Sequence, residues 1–66
     1  MEKMAAPTIR NTLYDQNGDV RYHVMAYREI SRQELLFAVN AYLAKKGKRR
    51  PKRGSEVTII TIIGHE

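Results

Sequence analysis

Seven cations fall within nine consecutive residues of this chain: Lys45, Lys46, Lys48, Arg49, Arg50, Lys52 and Arg53, with no acid among them. Each can neutralise a phosphate, and a run of them releases condensed counterions, which gives tight, salt-dependent binding to a polyanion. The whole chain has 66 residues and a net charge of +5, from 12 Lys+Arg and 7 Asp+Glu. Without the run, five cations face seven acids, a net −2. The molecule is therefore a mildly acidic domain carrying one intensely basic segment. Dense single-sign runs repel themselves and stay mobile until counter-charge arrives. Gly47, Pro51 and Gly54 favour an extended path along a phosphate backbone. Nucleic acid, DNA or RNA, is the partner this chemistry favours. An acidic protein, a membrane surface, or a loop that only aids solubility ranks below it. Arg10 and Arg21 are further candidates for phosphate contacts.

A second constellation interleaves cations and rings: Arg10, Tyr14, Arg21, His23 and Tyr27. Tyr14 and Tyr27 are the residues that could stack bases there, the chemistry of single-strand recognition. The same residues are at home in a protein interface or an ordinary solvent face. Catalytic chemistry finds little support. The two histidines, His23 and His65, have no carboxylate at a metal-ligand spacing, and the chain has no cysteine. No glycine-rich phosphate loop matches either common pattern. Asp15 and Asp19 read as turn residues, and Ser31 as a helix cap. A sandwich of this length has little room for a pocket of about 300 Å3 or more. No enzyme, cofactor or metal is expected.

The elements that must position these groups follow from pattern. Residues 1–7 read as a flexible leader without an apolar core of the kind a signal peptide needs. The longest apolar run, Val57 to Ile63, is far short of the roughly 20 residues of a spanning helix. A cytoplasmic protein is expected, without a membrane partner. Thr8 to Asp15 and Val20 to Glu29 alternate like strands around Gln16-Asn17-Gly18-Asp19. Asn-Gly predicts a two-residue type I′ turn, with positive φ at both positions. That turn pairs Leu13 with Tyr22, Asn11 with Val24 and Ile9 with Ala26. One face then collects Ile9, Leu13, Val20, Tyr22, Val24 and Ala26, and the other Arg10, Thr12, Tyr14, Arg21, His23, Met25 and Tyr27.

Ser31-Arg32-Gln33-Glu34 spells a capping box, so a helix runs from Arg32 to Lys46 and stops at Gly47. Leu35, Leu36, Val39, Tyr42 and Leu43 share one side of it, and Phe37 projects almost opposite. Gly47 to Ser55 is loop, and Glu56 to Gly64 is a β-branched strand. The fold class is α+β in the order ββαβ: one three-stranded sheet, made of the hairpin and the last strand, packed on a single helix. Residues 8–66 form one domain with its basic loop at 45–55. The helix returns the chain to the Asn17-Gly18 end of the hairpin, so the basic loop belongs there.

The last strand is apolar on both faces, and one helix covers only one. Met25, Phe37, Ile60 and Ile62 are therefore candidates for a dimer interface, most simply a two-fold homodimer. Function is expected to be nucleic-acid binding with weak sequence readout, in an accessory protein of the kind a compact bacterial or phage genome uses. The outward side of the helix offers only Gln33 and Asn40 to read bases. The competing expectation is a non-enzymatic inhibitor or adaptor that uses the apolar strand and sheet face.

Overall fold

The computed structural model describes residues 5–47 and 50–65. Its elements are β1 (Ile9–Tyr14), β2 (Arg21–Ala26), α1 (Arg32–Lys46) and β3 (Glu56–Ile60). They form the expected α+β arrangement, one sheet in the order β1-β2-β3 with a single helix. The central strand β2 is antiparallel to β1 and parallel to β3, and α1 is the crossover between the parallel pair.

The hairpin register is the one its alternation predicts, with Leu13 opposite Tyr22, Asn11 opposite Val24 and Ile9 opposite Ala26. Its turn is different. Only glycines have positive φ among the described residues, so Asn17 is not in the left-handed region a type I′ turn requires. Instead, the Gly18 N–H donates to the Asp15 carbonyl at 3.0 Å, and the Asp19 N–H to Asp15 Oδ1 at 2.7 Å. Asp15 also donates its N–H to Val20 O, which closes a four-residue loop. Asp at the first position and Gly at the fourth suit a type I turn, with the carboxylate serving the next free N–H. Two and four loop residues centred on the same point leave every pair unchanged, so register survives the change of turn.

Helix α1 begins and ends where its caps predict. Ser31 Oγ accepts from the Glu34 N–H at 3.2 Å, and Glu34 Oε1 accepts from the Ser31 N–H at 2.8 Å. Gly47, with φ +65, donates back to Leu43 and Ala44. The buried stripe is rotated from the expected one: Leu35, Ala38 and Val39 go under, while Leu36 stays 37% exposed. The distance between packed elements depends on the side chains at the contact, and a methyl group such as Ala38 permits close approach. With Leu13, Val20, Tyr22 and Val24 these residues make the core, flanked by Ile30, Leu43, Val57 and Ile59.

Strand β3 ends four residues before the expected Gly64. The Thr61 N–H still reaches Met25 O, but the Tyr27 N–H bonds Ile63 O instead of the Thr61 carbonyl that unbroken parallel register would supply. Two residues bulge out, and the chain turns at Ile62–His65. Gly64 has φ +90 there, and a Cβ on it would come within 2.7 Å of Arg28 Cγ.

One polar side chain sits inside, on the apolar face of the hairpin. Asn11 is 8% exposed. Its Nδ2 group lies within hydrogen-bond range of the carbonyls of Ile9 (3.3 Å), Val24 (3.4 Å) and Arg28 (3.2 Å), and its Oδ1 accepts from the Ile30 N–H at 3.0 Å. The Ile9 and Val24 carbonyls also sit in hydrogen-bonded pairs of the β1–β2 ladder, so removing the side chain is felt at the Ile30 N–H and the Arg28 carbonyl, where a lost bond costs about 1–3 kcal/mol. Asn11→Ala is expected to lower stability by about 2–3 kcal/mol in urea unfolding; a loss below about 0.5 kcal/mol would show that these bonds are dispensable.

Candidate nucleic-acid interface

The crossover carries the basic segment to the hairpin turn. Lys45 and Lys46 close α1, where the helix dipole favours cations. Of the remaining basic residues, Lys48 and Arg49 lie outside the described residues, as do residues 1–4 of the expected leader. From Lys52 the segment is tied down. Ser55 donates its N–H to Lys52 O, the Gly54 N–H reaches Asp19 O at 2.6 Å, and the Arg21 N–H reaches Ser55 O. Arg53 Nε lies 3.5 Å from Asp19 Oδ2. The extended path predicted for the whole segment thus gives way to a bound turn in its second half, because Asp19 supplies both counter-charge and carbonyl. Among the described residues, Lys45, Lys46, Arg50 and Lys52 have no acid within ion-pair distance, and Lys46 Nζ lies 5.5 Å over the Tyr42 ring.

The sheet face away from α1 has three rows: Tyr14, Arg21 and Glu56; Thr12, His23 and Thr58; Arg10, Met25 and Ile60. The first row borders the basic segment. Arg21 lies 3.7 Å from Glu56 and 5.4 Å over the Tyr14 ring. His23 Nε2 sits 2.8 Å from Glu56 Oε1, and its Nδ1 is 3.2 Å from Thr12 Oγ1. The His23 hydrogen bond, helped by the Arg21 charge, holds the Glu56 carboxyl below its usual 4.5. Arg10 stands four residues back along β1, about 13 Å away. Tyr27 is further still from the turn, its hydroxyl donating to Ala5 O and its ring edge-on to His65 at 4.9 Å. Of the sequence candidates, the fold therefore brings Arg21 and Tyr14 to the basic segment and leaves Arg10 and Tyr27 at the other end.

The dimer candidates separate as well. Met25 and Ile60 share the outer sheet face, with Ile60 73% exposed. Ile62 is exposed in the bulge, and Phe37, 72% exposed, is on the solvent side of α1, across the sandwich. A single flat interface can use Ile60 or Phe37 but not both.

One expectation is overturned. An open groove of about 820 Å3 runs between the hairpin turn and the side of α1 from Arg32 to Leu43. With α1 turned toward Ala38, Leu36, Asn40 and Leu43 line it beside the hairpin turn. Arg50 and Pro51 of the basic segment close one side of the groove.

Sequence reasoning missed Glu56, Asp19 and Tyr22 as members of this region. Asp19 had a signal, since a turn carbonyl beside a returning loop has a free acceptor. Glu56 meets His23 and Arg21 only through the register of β3, which no local pattern encodes. Among the described residues no group of His, Cys, Asp and Glu could hold a metal, and no helix is long and apolar enough to cross a membrane. Comparison with known protein families, curated proteins and solved structures finds no match for this chain.

Two carboxylates give the fold an acid signature. Arg28 forks onto Glu34 at 3.2 and 2.9 Å, and with the Ser31 backbone it holds that carboxyl at about 2. Glu56 is depressed for the reasons above. Both values fall on folding, so their contribution is complete above the unfolded value and is lost as pH falls through the folded one. Urea midpoints should decline as pH drops from 4.5 toward about 2, and Glu34→Gln should flatten that decline. A pH-independent midpoint over that window would contradict the assignment.

Proposed function

We propose that the protein is a small, non-enzymatic nucleic-acid-binding accessory protein of the cytoplasm that grips the phosphate backbone with residues 45–53 and works as a homodimer. The observation that carries the reading is the seven cations without an acid in nine residues. Of its described residues, Arg53 is fastened at the hairpin turn, the end of the sheet that carries Arg21 and Tyr14, and Lys45 and Lys46 close α1. Among described residues four of its cations have no protein counter-charge, so a polyanion would meet them without first displacing an acid. Sequence readout would be weak, because α1 buries its apolar stripe on the sheet and has no free face rich in base-reading side chains.

A second reading has its own observation. The outer sheet face and β3 expose Ile60 with no element over it among the described residues, at an edge whose alternate backbone groups can add a strand. That surface fits the second copy of the chain in the proposed dimer. It equally suits an adaptor or inhibitor that docks on another protein, and an acidic partner protein would engage the basic segment instead.

Replacing Lys48, Arg49, Arg50, Lys52 and Arg53 by Gln should leave the helical circular dichroism intact and abolish nucleic-acid binding at moderate salt. Retained binding would remove the segment from the mechanism. Ile60→Lys should convert the dimer to a folded monomer in sedimentation, since Ile60 makes little contact within one chain. An unchanged oligomer would take the strand face out of the interface.

A further inference from the structure

Tyr22 is 4% exposed and borders the groove, yet its hydroxyl hydrogen-bonds no described residue. That oxygen is not sealed from solvent, so it can bond water or a ligand lying in the groove. Burial, reinforced by the Asp15 charge and opposed by Arg50, pushes its ionisation above the usual 10.0, so it is a neutral donor and acceptor. Around it the groove has an apolar floor in Leu36, Val39 and Leu43, and Leu36 is open to solvent. The rim carries the Asn40 amide, which offers a donor and an acceptor, and the Arg50 guanidinium. Arg32 also borders it, as does Asp15, whose Oδ1 is engaged by the Asp19 N–H. The groove is open and mixed in lining, an apolar floor under a polar rim, which suits a flat ligand with an apolar face and a polar edge.

The occupant follows from what the groove adjoins. Arg50 and Pro51 belong both to its wall and to the basic segment, so a polyanion lying on that segment passes its mouth. An unpaired nucleobase has two apolar faces and an edge of donors and acceptors, which matches the floor and the rim. In a duplex the base is stacked and its pairing edge is already used, so only an unpaired base can enter. We propose that the groove takes one unpaired base of a single-stranded nucleic acid, one face against Leu36, Val39 and Leu43, its edge toward the Tyr22 hydroxyl and the Asn40 amide, with Arg50 on the adjoining phosphate. The inference rests on the nucleic-acid reading above and makes the preferred partner single-stranded.

The test measures binding of the full chain, by fluorescence anisotropy at one salt concentration, to a short oligothymidylate, an abasic strand of the same length, and a duplex. The oligothymidylate should bind at least about tenfold tighter than the abasic strand, the scale of one base contact. Tyr22→Phe keeps the ring, and Asn40→Ala changes an exposed helix position, so both should fold with an unchanged or raised thermal midpoint. Each should weaken oligothymidylate binding about threefold or more while leaving the abasic strand unaffected. Equal affinity for the two strands, tighter binding to the duplex, or variants that behave as the parent would overturn the groove assignment and leave the backbone grip standing. No binding to any of the three would overturn the nucleic-acid reading and this inference together.

Discussion

The Asn11 side chain holds four backbone groups in one place, and the rest of the molecule is arranged from that point. Its contacts to Ile9, Val24 and Arg28 and its acceptance from Ile30 join the start of β1, the middle of β2 and the turn into α1. A buried amide with donors and acceptor all used is a directional constraint that apolar packing alone does not provide. With the β2–α1 turn held, Arg28 meets Glu34, the capping box closes, and the helix sets out in one direction over Tyr22 and Val24. Fifteen residues later it has returned the chain to the hairpin turn.

That return separates the work of the two faces and the two ends. The inner sheet face and α1 hold the core. The outer face is left to a chain of polar contacts from Thr12 through His23 and Glu56 to Arg21, with Met25 and Ile60 beside Arg10 at the end away from the turn. Charge collects at the turn end, where the crossover delivers its cations and Asp19 fastens the last of them. A small domain has marginal stability to begin with. Keeping unpaired cations on a connection rather than in the sheet spares the core from their mutual repulsion.

Much of this was legible in the sequence, for physical reasons that differ by element. The alternation of Leu13, Tyr22, Val24 and Ala26 admits one register only, because a one-residue slip would turn them all to solvent. Ser31, Glu34 and Gly47 satisfy orphan backbone groups at helix ends, and those are local demands that local residues answer. The delivery of the basic loop to the turn end of the hairpin followed from helix length and chain direction. What stayed hidden depends on partners distant in the chain. Asn11 reads as an interruption of an apolar face until four backbone groups surround it. The turn type was decided by the Asp15 carboxylate rather than by Asn17-Gly18. Nothing in an unbroken β-branched run marks the break in register after Thr61, where the Tyr27 N–H turns to the Ile63 carbonyl. The groove lies beside an α1 turned toward Ala38 rather than toward the expected stripe.

The most direct measurement of the central claim is the salt dependence of binding to a short single strand, using protein freed of co-purified nucleic acid. If residues 45–53 grip the backbone, log K should fall linearly with log salt, with a slope of about −0.7 for each phosphate neutralised and a total of about −2 or steeper. A slope near zero, or no binding at low salt, would contradict a backbone grip and leave the exposed sheet face as the working surface of the molecule.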